Sequence, residues 1–113
     1  MSISTLKPDA FRCDLTAKVL EHVMTVSAKQ ADSDALLILN EYLIGDDSGC
    51  VVLNTKQDLT IDTVYDIKNA YTQATEGYLR VYANDIETSS ASLDKVNTEN
   101  NKSLVFMERI TIN

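Results

Sequence analysis

The chain has 113 residues, of which 44% are apolar and 24% charged, with two cysteines, one histidine, no tryptophan and a net charge of −7. That length fits one domain with a real core, and the composition excludes a disordered polymer, a disulfide framework and a membrane-spanning helix. All of the net charge falls in residues 30–67, where Asp32, Asp34, Glu41, Asp46, Asp47, Asp58, Asp62 and Asp66 face one base, Lys56, so that 1 − 8 = −7, while the rest of the chain holds nine acids and nine bases.

A field polarised in this way repels phosphate and anionic lipid and attracts a basic surface. The expected partner is therefore a basic protein, with no direct nucleic-acid contact and no membrane. The first residues lack the basic segment and apolar run of a secretory signal, which makes the cytoplasm the expected location.

Pro8 and Asp9 open the first periodic segment. Phe11, Leu15, Val19, Val23 and Val26 recur at spacings of four and three, with Leu20 and Met24 widening the stripe. This predicts a helix over 9–29. Residues 35–44 are apolar on both faces under either reading. They fit a helix started by Asp32 or Ser33 and ended by Gly45, or a strand paired with residues 50–54. The terminators at both ends favour the helix.

Residues 50–53 read as a short buried strand. Thr60 caps a second expected helix running to about residue 75, with Ile61, Val64, Ile67, Tyr71 and Ala74 inside and Gly77 after its end. Residues 78–83 alternate in strand fashion, 84–102 read as a long polar loop, and 103–112 as a final strand. The expectation is one α+β domain over 1–113: two layers, with two or three helices on a small, mostly antiparallel sheet of three or four strands.

Catalytic and metal-binding signatures are weak. His22 is the single histidine and lies on a flank of the first stripe, which suits a boundary residue better than a general base. Cys13 and Cys50 lie in apolar segments and read as buried thiols, and neither Cys-x-x-Cys nor His-x-x-x-His occurs. In residues 45–49 the serine stands one place late for a nucleophile elbow. Counted from Asp46, the twelfth position of an EF-hand loop would be Gln57 rather than glutamate. An acidic turn explains that segment, and no cofactor or metal is expected.

Tyr78, Arg80 and Tyr82 on one strand face resemble a stacking platform for single-stranded nucleic acid. Such a site needs a positive groove, and the charge balance favours tyrosines half-buried under a helix or a protein-binding patch instead. Asp58, Asp62 and Asp66 recur every four residues and form a row of carboxylates matching a basic partner.

The reading favoured by these residues is a small, non-enzymatic acidic protein of inhibitor, immunity or DNA-mimic type. It would dock through Asp32, Asp34, Asp46, Asp47, Asp58, Asp62 and Asp66. The alternative is a homo-oligomeric accessory protein, dimerising through a final strand that carries Leu104, Phe106, Met107 and Ile110. A small metal-dependent hydrolase using Asp46, Asp47 and His22 ranks third.

Overall fold

Strands make up nearly all of the regular secondary structure among the described residues. The computed structural model describes residues 2–29, 36–75, 78–93, 95–101 and 103. A 3-10 turn (Ile3–Thr5) precedes β1 (Cys13–Lys29), β2 (Leu36–Gly45), β3 (Cys50–Thr55), β4 (Val64–Thr75), β5 (Tyr78–Tyr82) and β6 (Asp85–Thr88). Among these residues there is no α-helix, so the expected α+β domain is corrected to an all-β one. The three segments expected as helices are β1, β2 and β4, and β6 occupies the start of the stretch expected as a long loop.

Bulges explain the error. The β1–β2 register slips between Val19 and Glu21 and again between His22 and Met24. Each slip adds a residue to β1, so the partners of Ile44, Tyr42 and Asn40 are Val19, His22 and Thr25, three residues apart. Bulges at that spacing turn the period of two into a rhythm resembling a helix. β4 behaves the same way. Cys13 pairs with Ala70 and Leu15 with Ile67, so the β4 side has one residue more than the β1 side. Asn69, in the extra stretch, takes φ 56°. Its N–H donates to the Asp14 carboxylate at 3.0 Å. Asparagine is one of the few side chains that visit this left-handed region readily.

The strands close into a ring. β1 pairs with β2, β2 with β3, β3 with β5, β5 with β4, and β4 back with β1. All of these pairs are antiparallel except β3 with β5. β6 continues along the β4 edge that β5 has left, with Ile86 opposite Ile67. The interior is filled by Cys13, Leu15, Ala17, Val19, Ile44, Val51, Leu53, Ile67, Leu79 and Val81, each at most 3% exposed. Each large aliphatic side chain buried there contributes about 1.5–3 kcal/mol.

Tyrosine hydroxyls hold the β3–β4 connection against one end of the barrel. Leu59 N–H donates to Tyr42 Oη at 3.0 Å and Thr60 N–H to Tyr65 Oη at 2.8 Å. Ile3 and Leu6 are buried from the N-terminal side.

The seam between β3 and β5 is short, pairing only Val52, Leu53 and Asn54 with Arg80, Val81 and Tyr82. Before that point another part of the chain takes β5's place. Cys50 N–H donates to Asn100 O at 2.9 Å. Asn101 forms a parallel bridge to Cys50. Ser103 Oγ accepts from Val52 N–H at 2.8 Å and donates to the Leu79 carbonyl. Asp32, Asp34, Leu104, Phe106, Met107 and Ile110 lie outside the described residues. Among the described residues no helix is long and apolar enough to cross a membrane.

Because Asn69 bears the bulge, Asn69→Gly is expected to leave stability nearly unchanged. Asn69→Val should lose about 1–2 kcal/mol through backbone strain. Urea unfolding of the two variants checks the pair.

Candidate functional site

The outer face of β5 and β4 carries the exposed chemistry. Leu79 and Val81 point into the barrel and are fully buried, so Tyr78, Arg80 and Tyr82 point outward. On β4, Tyr71 stands opposite Tyr82, and Gln73 opposite Arg80. On the other side β3 sets Asn54 opposite Tyr82. The Tyr71 and Tyr82 rings stack with centroids 5.1 Å apart and planes within 9°. Phe11 extends the stack beyond Tyr71 at 6.5 Å.

The N-terminal segment holds Phe11 there. Thr72 N–H donates to Ala10 O and Ala10 N–H to Thr72 Oγ1, both at 2.9 Å, while Asp9 N–H donates to Thr72 O at 3.1 Å. Phe11 is 74% exposed and Tyr71 43%. Two large rings are thus kept in water instead of in the core, which is the informative kind of exposure.

Asn54 completes the row. It is 3% exposed, yet its Nδ2 has no hydrogen-bond partner among the described residues. A buried donor left unsatisfied costs about 1–3 kcal/mol, a cost that an incoming acceptor removes. Beside the stack lies a cavity of about 460 Å³, lined by Lys68, Asn69, Tyr71, Tyr82, Asn84 and Asp85. That volume is within the usual range of ligand pockets, roughly 300–1,000 Å³.

Several carboxylates accept hydrogen bonds from the protein's own donors. The Asp46 carboxylate is buried and accepts from Ile3 N–H at 2.9 Å, Ser48 N–H at 2.8 Å, Gly49 N–H at 3.2 Å and the Ser48 hydroxyl. Asp58 accepts from Asn40 Nδ2 at 3.2 Å, and Asp66 from Thr16 Oγ1 at 2.8 Å. Asp47 and Asp62 are exposed. Lys7, Arg12, Lys18, Lys56, Lys68, Arg80 and Lys95, by contrast, have no side-chain hydrogen bond or ion pair among the described residues. Lys68 and Arg80 belong to the same outer face as the aromatic stack.

Asp58, Asp62 and Asp66, expected as one row on a helix, are distributed over the β3–β4 connection and β4. His22 pairs with Tyr42, four residues along β2 from Asp46 and so roughly 13 Å away. The histidine and the acidic turn are not brought together. Among the described residues no group of acids, cysteines and histidine is arranged to hold a metal ion.

The outer face of β2 and β3 is partly covered. Val51 and Leu53 belong to the core, which turns Cys50, Val52 and Asn54 outward. Nevertheless Cys50 is fully buried. Residues 95–101 and 103 lie over it as a strap. Asn97 N–H donates to Asp46 O, and Asn100 Nδ2 to Ser48 O, both at 2.9 Å. Gly45 has no room for a side chain, because a Cβ there would collide with Val96 Cγ1 and crowd Leu20 Cδ1 at 3.1 Å. Burial raises the pKa of both thiols. For Cys13 desolvation comes first and the neighbouring Asp14 second, and for Cys50 desolvation alone acts.

A small closed barrel with this strand order, β1-β2-β3-β5-β4-β1, and a parallel β3–β5 seam is the architecture of the OB fold. Residues 6–88 match the family described as "Single-stranded DNA binding protein Ssb-like, OB fold", and the chain belongs to that family.

Three solved structures share the fold. A hypothetical protein from Arabidopsis thaliana aligns with TM-score 0.81 at 23% identity, covering 100% of this chain and 88% of that one. The OB domain of a Thermoplasma acidophilum protein aligns with TM-score 0.70 at 16% identity, covering 84% of this chain and 91% of that one. The second OB-fold domain of replication protein A from Methanococcus maripaludis gives TM-score 0.66 at 16% identity, over 83% of this chain and 98% of that domain. No curated protein matches the chain.

Family membership corrects two expectations from the sequence, the acidic docking protein of inhibitor type and the absence of direct nucleic-acid contact. The physical reason is local. The net negative charge belongs to residues 30–67, whereas the outer β5–β4 face holds Lys68, Arg80 and three stacked rings. Phe11, Tyr71 and Asn54 were missed as site residues because two of them fell on the inner stripes of expected helices. The usable signal was the hairpin. Once 64–75 is read as a strand, the register Thr75↔Tyr78 carries Tyr71 opposite Tyr82.

Asp46→Ala is expected to cost about 2–3 kcal/mol by stranding buried donors. Asp47→Ala should stay within about 0.5 kcal/mol, as exposed substitutions do. Paired thermal and urea unfolding curves measure the difference.

Proposed function

We propose that the chain binds single-stranded DNA across the outer face of β5 and β4. The observation that carries this reading is the row Asn54, Tyr82, Tyr71, Phe11, in which three stacked rings end beside a buried amide with no hydrogen-bond partner among the described residues. Bases have apolar faces that stack on such rings, each worth about 1–3 kcal/mol and largely indifferent to sequence. The Asn54 amide can donate to a base carbonyl or a phosphate oxygen, and Lys68 and Arg80 supply cations for the backbone. The family description and the replication protein A domain among the structural neighbours support the same reading.

The negative net charge modifies the mechanism. Long-range attraction of DNA is weak, so affinity rests on stacking and a few local phosphate contacts. Two to four contacts, from Lys68 and Arg80 with or without Lys7 and Arg12, give a slope of log K against log salt between about −1.4 and −2.8 for a single strand. Two buried free thiols suit a reducing compartment, and the cytoplasm is the location proposed.

Titration of a fluorescent oligothymidylate tests the proposal. Tyr71→Ala and Tyr82→Ala are each expected to weaken binding by about 5- to 100-fold. Arg80→Ala should make the salt slope shallower by about 0.7. An unchanged affinity in both tyrosine variants would refute the proposed face. Failure of the wild-type protein to bind single strands at low salt would refute the function.

A further inference from the structure

Oligonucleotides on this fold are usually taken by the face of strands 2 and 3 and the adjoining loops. In this protein one end of that face is occupied by residues 95–101 and 103. Val96 sits over Gly45 and Leu20. The Cys50 thiol meets Thr98 O at 3.8 Å. Asn100, Asn101 and Ser103 then fill the gap beside β3 that β5 leaves open.

The strap's chemistry suits it to stand in for a ligand. It lays the Thr98 and Asn100 carbonyl oxygens and the Ser103 hydroxyl against Cys50 and Val52 of β3, acceptors of the kind that a nucleotide would bring to the same donors. Beside the strap the outward apolar side chains are Leu43 of β2, Val52 of β3 and Leu20 of β1, and none of these three is aromatic. A tethered segment also competes at high effective concentration.

Resting on the single-strand reading above, we infer that this strap is an intramolecular competitor for the β2–β3 face. It confines the DNA strand to the β5–β4 face while closed, and its release extends the binding surface across Gly45, Cys50 and Val52. Cys50 reports the state of the strap directly. Its side chain lies outside the barrel and beneath the strap, whereas Cys13 lies inside the core. Strap opening therefore exposes one thiol and not the other.

Two variants open the strap from opposite sides. Gly45→Ala puts a methyl group into Val96 from the barrel side. Val96→Asn loosens the strap and leaves every barrel residue in place. Gly45→Ala combined with Val96→Ala restores the fit and serves as the rescue. For each variant, alkylation rates of Cys50 and Cys13, hydrogen exchange at the Cys50 and Asn97 amides, and affinity for oligothymidylates of increasing length are measured.

The expected result has three parts. Cys50 labelling and exchange at both amides accelerate with Cys13 unchanged, binding of the longer oligonucleotides tightens about three- to tenfold, and the rescue reverts these effects. By linkage, saturating long oligonucleotide should also accelerate Cys50 labelling in the wild-type protein.

Cys50 exposed with affinity unchanged at every length would overturn the inference. So would amides that stay protected in both variants. Binding that needs Tyr71 and Tyr82 but ignores the strap refutes this inference alone. Absence of binding in wild type and opened variants alike refutes it together with the proposed function.

Discussion

The backbone pairing between β1 and β4 is the constraint from which the rest follows. It joins Cys13–Lys18 to Val64–Ala70 and closes the ring that β2, β3 and β5 begin. Closure removes most of the free strand edges that a small sheet exposes, and it leaves the outer faces as the surfaces for a ligand. The ring closes only because β1 and β4 bend, and they bend at bulges. At Asn69 the left-handed backbone and the Asp14 carboxylate fix the bend in place. The same bend leads into Tyr71, and the hydrogen bonds around Thr72 bring Phe11 alongside it.

Electrostatics in this protein are decided residue by residue, not by the total. Asp46 holds four donors near the 3-10 turn, and Asp14, Asp58 and Asp66 each satisfy a donor of the fold. These carboxylates act as acceptors within the fold, Asp46 from a buried position and Asp14 and Asp58 from exposed ones, and an ionised acceptor makes a stronger hydrogen bond than a neutral one. Among the described residues Lys7, Arg12, Lys18, Lys56, Lys68, Arg80 and Lys95 have no ion pair, and two of them, Lys68 and Arg80, share a face with the aromatic rings. A chain of net charge −7 thus presents one surface that joins stacked rings to two cationic side chains, a combination that acts by short-range contact instead of by long-range steering.

The β3–β5 seam shows how one fold allows different faces to be used. Parallel pairing covers three residues on each strand, and the space before it is open to whatever segment reaches it. Here the chain's own strap reaches it, and Gly45 permits the close approach that a side chain would forbid. A face that would otherwise be free is covered by hydrogen bonds to Cys50 and Val52. The orphaned amide of Asn54 and the tyrosine stack stand at the opposite end of the same seam.

Local pattern made parts of this legible. The alternation at residues 78–83 marked β5 and put Tyr78, Arg80 and Tyr82 on one face, and the apolar run at 50–53 marked β3. The apolar segments around Cys13 and Cys50 identified both as buried thiols, a property that depends only on which residues are present and how near neighbours alternate. The helices expected at 9–29 and 60–75 failed because bulges at Leu20, Val23 and Asn69 give a strand the three-and-four spacing of a helix, and a bulge is set by the partner strand, which lies up to 57 residues away (Cys13 with Ala70). The row joining Asn54, Tyr82, Tyr71 and Phe11 draws on four separate segments, and the buried Asp46 carboxylate draws on the Ile3 N–H. Residue order determined the alternation and the charge count. Only closure of the barrel decided which rings meet and which charges are consumed, because pairing between distant strands fixes both.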